Sequence, residues 1–200
     1  MNTPTPAGPL SALQALRAHW PEYLIEAWAL GTFMISAGLV ASALEYPGSP
    51  LHALLPQPGV RRTVAGVAMG LTAIALIYSP WGKRSGAHMN PSVTMAFWTL
   101  GRVHAWDAVF YIAAQFLGGT LGVLLVAALL GAAFTGSPVR YAATVPGPAG
   151  EMPAFIAELA ISAFLMLTVL RVSASQRFAP YTGLIAGALV ARPGSLEPGM

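Results

Sequence analysis

Residues 85–94 read SGAHMNPSVT, a polar stretch within a chain that is otherwise strongly apolar. Asn90 is a favoured helix N-cap, and Pro91 suits the first helical position because proline's missing N–H would be unpaired there. A helix from Pro91 to Leu100 would be roughly 15 Å long at about 1.5 Å per residue, about half of a bilayer core of roughly 30 Å. The stretch therefore predicts a re-entrant half-helix, preceded by a non-helical segment over residues 83–89 that dips into the membrane. An amphipathic helix lying at the membrane surface is the alternative.

The composition indicates a membrane protein. The 200-residue chain is 56% hydrophobic and 8% charged, whereas soluble domains carry roughly 25% charged residues. It has no cysteine, which excludes disulfides and thiolate metal sites. The net charge is +3 with scattered positive residues, so we expect no nucleic-acid surface. The sequence predicts an all-α membrane protein with no cofactor and no metal.

Five apolar segments follow one another along the chain. The first four are long enough to span a bilayer, whereas the fifth is too short to cross alone. They are Tyr23–Leu44, Thr63–Ser79, Ala108–Phe134, Met152–Leu170 and Ala179–Ala191. Residues 1–21 lack the pattern of a cleaved signal and are predicted to form an N-terminal tail.

The distribution of positive residues predicts the orientation. With a cytoplasmic N-terminus, the inside segments hold Arg17, Lys83, Arg84, Arg102, Arg171 and Arg177, and the outside segments hold Arg61, Arg62, Arg140 and Arg192. This excess favours an N-terminus in the cytoplasm. Trp20, Trp81 and Trp106 lie near predicted helix ends, where an interfacial belt would place them. We expect a plasma-membrane protein, in a bacterium the inner membrane.

Two features inside the spans bear on packing and chemistry. Glu26 and Glu158 are acids within apolar segments, which is costly unless they face a cavity or a partner. A proton relay and a structural role are both open for them. Three pairs of glycines lie four residues apart, a spacing that lets helices approach closely in lipid. They are Gly66 and Gly70, Gly118 and Gly122, and Gly183 and Gly187.

Residues 85–94 resemble the first Asn-Pro-Ala loop of the major intrinsic protein family, the aquaporins and glycerol facilitators. Ser92 stands where that family usually has alanine. Further stretches resemble the family's first, third, fourth and fifth helices: Glu26 with residues 31–33, residues 115–119, Glu158 with Phe164, and residues 181–184. The resemblance implies an aquaporin-like bundle that conducts water or small neutral solutes passively, as a homotetramer in the bilayer.

The resemblance also implies roles for individual residues. Asn90 would donate its amide to a passing solute, and Pro91 would fix the start of the half-helix. The implied pore-lining and selectivity residues are Gly86, Ala87, His88, Asn90, Pro91, Ser92 and, about twenty residues before Asn90, Met69 or Gly70. For His88, a hydrogen-bonded structural role is the alternative. Glu26 and Glu158 would each hold a re-entrant loop through its backbone N–H groups.

The chain departs from the family pattern towards its end. The family has six spans and two half-helices, the second starting at another Asn-Pro-Ala that is followed by a pore arginine. The only asparagines in this sequence are Asn2 and Asn90. We therefore expect residues 22–191 to form five membrane segments and one half-helix, without the second half-helix and the sixth helix. Residues 192–200 would be a tail outside the family pattern, as in a truncated or frame-shifted product.

A chain of this kind is expected to need further protein before it conducts. One alternative is a non-conducting truncated product with the same partial fold. Another is an intramembrane enzyme or proton-coupled carrier that uses Glu26 and Glu158. The sequence holds no His-Glu-x-x-His motif and no phosphate-binding loop to favour an enzyme.

Overall fold

The computed structural model describes residues 11–143, 145–146 and 150–191, and within these ranges it contains helices and connecting segments only. The helices are α1 (Ala12–Glu45), α2 (Pro50–Leu54), α3 (Pro58–Tyr78), α4 (Pro80–Ser85), α5 (Pro91–Thr99), α6 (Ala105–Leu130), α7 (Ala132–Thr135), α8 (Glu151–Ala174) and α9 (Thr182–Val190). Short 3-10 turns lie at Arg140–Ala142 and Ala179–Tyr181.

Four helices, α1, α3, α6 and α8, are long and apolar enough to cross a membrane. Helices α5 and α9 have nine residues each, so neither can span alone. This confirms the predicted all-α membrane architecture with a short helix after Asn90. The chain is an integral membrane protein. Successive spans reverse direction, so α1, α6 and α9 begin at the end of the bundle where α3, α5 and α8 finish; we call this the N-terminal end.

Helix α1 begins well before the predicted first segment. Ser11 and Gln14 form a capping box, in which the Ser11 Oγ accepts from the Gln14 N–H and the Gln14 Oε1 accepts from the Ser11 N–H. The helix is kinked at His19 (φ −123°, ψ 15°), two residues before Pro21. The helix therefore begins at Ala12, well before the apolar segment that starts at Tyr23, and takes in part of the predicted N-terminal tail. The predicted tail at 192–200 lies outside the described residues.

The glycines bring helix backbones into contact. A Cβ added at Gly118 of α6 would overlap the carbonyl oxygen of Ala27 in α1, and one at Gly122 would lie 2.5 Å from the carbonyl oxygen of Gly31. On the other side of the bundle, a Cβ at Gly70 of α3 would lie 2.5 Å from the carbonyl oxygen of Gly187 in α9. The predicted close packing is confirmed for the α1–α6 and α3–α9 pairs.

Two predicted boundaries are corrected. Residues 83–85 are helical rather than irregular, because Pro80 starts α4 and the Ser79 Oγ accepts from the Gly82 N–H at 2.9 Å; only residues 86–89 are non-helical. The predicted span Ala108–Phe134 is broken at Gly131, whose backbone (φ 52°, ψ −128°) favours glycine. Helix α6 therefore ends at Leu130, and α7 follows as a separate turn.

Candidate functional site

The segment between α4 and α5 has an unusual backbone. Helix α4 ends at Gly86 in the left-handed conformation (φ 92°), and Ala87 (φ 47°) and Met89 (φ 48°) also have positive φ. Such conformations cost a residue with a side chain on the order of 1–3 kcal/mol and persist only where the surroundings hold them. The segment must therefore be held by contacts from other helices.

The Glu26 carboxylate provides those contacts. It is fully buried in α1. Its Oε1 accepts from the Ser85 hydroxyl at 2.7 Å and from the His88 N–H at 3.0 Å. Its Oε2 accepts from the Met89 N–H at 2.8 Å and from the Gln115 amide at 2.9 Å. Four donors thus compensate the desolvation of one acid at the point where the backbone is strained.

A second set of contacts orients His88. Its Nδ1 lies 3.1 Å from the Thr94 Oγ1, which also accepts from the Gln115 Nε2 at 3.1 Å. The imidazole stacks on Phe97, with ring centroids 5.0 Å apart, and meets the Tyr111 ring at 5.2 Å. The Tyr111 hydroxyl donates to the Ser85 carbonyl oxygen at 2.8 Å. Helices α5 and α6 therefore fix both the ring and the turn before it.

Asn90 caps α5 as its sequence predicts. Its Oδ1 accepts from the Ser92 N–H at 2.8 Å, and its backbone is extended (φ −158°). Its Nδ2 makes no hydrogen bond within the described part of the chain, and the side chain is exposed. An amide donor is thus available at the N-terminal end of a helix, where the dipole is positive.

A cavity of about 440 Å³ lies beside this segment. Five of the predicted residues line it: Gly86, Ala87, His88, Asn90 and Ser92. The rest of the lining is mostly apolar and comes from α1, α3, α5, α8, α9 and the chain between the last two, with Phe33, Ala73, Ile77, Phe97, Ser162, Leu165, Met166, Val169, Ser173, Thr182, Ala186 and Val190 among the contributors. The polar groups of the strained segment and Asn90 therefore face an otherwise largely apolar wall.

The remaining predicted residues lie elsewhere. Pro91 lines a separate groove between α1 and α6. Gly70 is buried against α9, and the Met69 sulfur lies 3.9 Å from the Ser36 hydroxyl; Ala73, one turn further along α3, lines the cavity instead. That Met69 or Gly70 contributes to a constriction of the pore stays a prediction.

Glu158 differs from Glu26 in its burial and in its hydrogen bonds. It is exposed on α8, a helix in which no residue is buried. No hydrogen bond to its carboxylate is found in residues 11–143, 145–146 and 150–191. Its predicted role in holding a second loop stays a prediction.

Sequence reasoning missed several residues that hold the site. Ser85, Thr94 and Tyr111 each donate or accept in the network around Glu26 and His88. A signal was present in the spacing, because Asn90 and Thr94, like Tyr111 and Gln115, lie four residues apart and share a helix face. Polar residues repeated on one face of an apolar helix could have identified Thr94 and Tyr111, whereas Ser85 carried no such signal.

The chain has counterparts among known proteins. The family model for the major intrinsic protein matches residues 14–192. The chain is 41% identical over 127 residues to the "Probable aquaporin AqpM" of Archaeoglobus fulgidus, a match that covers 62% of this chain and 51% of that protein. It is 31% identical over 158 residues to aquaporin Z of Photorhabdus laumondii, covering 76% and 64%. With aquaporin NIP1-2 of Oryza sativa it shares 35% over 173 residues, covering 84% and 54%.

The chain thus spans between about half and two thirds of the length of these relatives. The family match covers the re-entrant segment, the buried acid of α1 and the cavity between them. The chain belongs to the major intrinsic protein family.

Proposed function

We propose that this chain forms one wall of a membrane channel through which water or small neutral solutes pass passively. The observation that carries the proposal is Asn90, an exposed amide at the start of a half-length helix, facing a cavity between membrane helices. Irregular backbone at membrane depth is tolerated where it lines such a cavity. The aquaporins among its relatives support the same class of function.

Asn90 and the dipole of α5 would act together on a solute. The free Nδ2 donates to a solute oxygen, while the Oδ1 is engaged by the Ser92 N–H and cannot rotate away without breaking the cap. The positive end of α5 disfavours cations and protons at the same point. Gly86 and Ala87 add non-helical backbone to the path of the solute. Neutral molecules that accept hydrogen bonds fit this arrangement best.

Glu26 serves as a scaffold in this proposal and not as a proton carrier. Both of its oxygens are engaged by two donors each, and it is not part of the cavity lining. A proton relay needs a carboxylate that meets the transported proton. These contacts favour the channel over a carrier or an enzyme built on Glu26 and Glu158.

The cavity needs more protein before it can conduct. Asn90 and Ser92 are exposed beside it, and α8 buries none of its residues. A conducting pore is enclosed, because polar backbone cannot face lipid. We infer that further protein covers this side in the conducting form, and that the 200-residue polypeptide alone does not conduct.

The proposal extends to assembly and orientation. We place the N-terminal end of the bundle in the cytoplasm of a plasma membrane, in a bacterium the inner membrane, since Arg17, Lys83, Arg84, Arg102, Arg171 and Arg177 lie in segments at that end. Four copies forming a homotetramer is the assembly that the family resemblance implies.

Asn90→Asp tests the pore role of this residue in a form whose cavity is enclosed. Aspartate keeps an oxygen that caps α5 but places a negative charge beside the cavity, so the ratio of sodium flux to water flux in vesicles is expected to rise. Asn90→Ser is the matched control, because it caps the helix without a charge. Equal flux ratios in the two variants would rule out a solute path past Asn90.

A further inference from the structure

The first turns of α1 carry an apolar stripe that no part of the described chain covers. Leu13, Leu16 and Trp20 are 55%, 41% and 54% exposed, whereas Ala15 between them is fully buried. Leu13 and Leu16 are three residues apart and share one helix face, and Trp20 follows just past the kink. The kink at His19 separates this segment, residues 12–18, from the span that follows.

A polar cluster ties the segment to the start of α6. The largely buried Asp107 carboxylate has its Oδ1 2.8 Å from the His19 Nδ1 and accepts from the Tyr23 hydroxyl at 2.6 Å. The Tyr23 hydroxyl also lies 3.0 Å from the carbonyl oxygen of Ala15. One carboxylate thus contacts α1 at the kink and one turn beyond it, so it fixes the direction in which the segment leaves the span.

We propose that residues 12–18 form an interfacial anchor that lies in the headgroup region of the bilayer, with Leu13 and Leu16 in the apolar boundary and Trp20 beside them just past the kink. The partner is the lipid surface, because the stripe continues into the exposed Leu24 and Trp28 of a helix that crosses the membrane. Gln14 and Ala18 are exposed on the other side of the helix, and the exposed Arg17 lies one turn after Leu13 at the edge of the stripe. An arginine beside an apolar stripe is typical of helices that bind anionic headgroups.

Spin labels measure this geometry directly, because the chain has no cysteine of its own. Single cysteines replace Leu13 and Leu16 on the stripe, and Gln14 and Ala18 on the polar side, in vesicles containing anionic lipid. We expect the ratio of oxygen to water-soluble nickel collisions to be several-fold higher at 13 and 16 than at 14 and 18. Equal ratios at the four sites, or a smooth rise from 13 to 18 as in a continuous span, would overturn the proposal.

The same spin labels test whether the cluster around Asp107 fixes the orientation of the anchor. Asp107→Ala removes the acceptor shared by His19 and Tyr23 and is expected to abolish the contrast between the two sides. Asp107→Asn retains an oxygen acceptor and is expected to keep the contrast. If Asp107→Ala loses helicity by circular dichroism, His19→Ala replaces it. If the difference in collision ratio between the two sides persists in folded Asp107→Ala, or in His19→Ala, this cluster does not orient the anchor.

Discussion

Glu26→Leu is expected to destabilise the protein far more than Glu26→Gln. Leucine leaves the Ser85 hydroxyl, the N–H groups of His88 and Met89 and the Gln115 amide without their shared acceptor. Each buried donor left unpaired costs roughly 1–3 kcal/mol. Glutamine keeps one oxygen, and with it the contacts on one side of the carboxylate, so its free energy of unfolding should lie between those of the wild type and the leucine variant.

Denaturation of the purified proteins in detergent, monitored through their helicity, measures this difference in stability. Proteolysis of residues 86–90 gives a local readout, because the strained segment is expected to open first when its acceptor is lost. Equal stability of Glu26→Leu and Glu26→Gln would show that the carboxylate does not hold the re-entrant segment.

The second large effect is expected at the contact between α1 and α6. A Cβ at Gly118 meets the backbone of Ala27, which cannot move without separating the helices, whereas a Cβ at the neighbouring Gly119 lies 3.3 Å from the end of the Leu30 side chain. Gly118→Ala should therefore lower stability by several kcal/mol, beyond the roughly 1–3 kcal/mol of ordinary overpacking. Gly119→Ala should change it little.

Thermal unfolding of the two variants side by side checks this expectation. Gly59→Ala is the matched control for helix propensity, since nothing lies within 4 Å of a Cβ there. If Gly118→Ala and Gly119→Ala unfold at the same temperature, the backbone contact at Gly118 does not set the spacing of the two helices.

The helix starts are the part of the fold that the sequence predicts most directly. The Asn90–Pro91 pair predicted the start of α5 because capping depends on neighbouring residues alone. The same kind of signal stands at Ser79–Pro80, which starts α4, and at Ser11–Gln14, which starts α1. Apolar length alone does not mark these starts, because a cap can begin a helix outside the apolar segment.

Long-range contacts could not be predicted from local sequence in the same way. Glu26 and Met89 are far apart in the chain and meet only because α1 packs on the re-entrant segment. The family resemblance implied that pairing, whereas nothing in the sequence indicated that His19, Tyr23 and Asp107 would meet across the α1 kink. Which side of α3 faces the cavity depends likewise on where α9 packs: Gly70 lies against α9, whereas Ala73 lines the cavity.

Stopped-flow shrinkage of vesicles tests the central claim that the Asn90 cavity conducts once further protein encloses it. The 200-residue polypeptide alone is expected to leave osmotic water permeability at the level of protein-free vesicles. The same polypeptide, extended by the second half-helix and sixth helix that the family resemblance implies, is expected to raise it. Mercury should not inhibit through residues of this chain, which has no cysteine. Rapid shrinkage with the unextended polypeptide, or no gain on extension, would contradict the account.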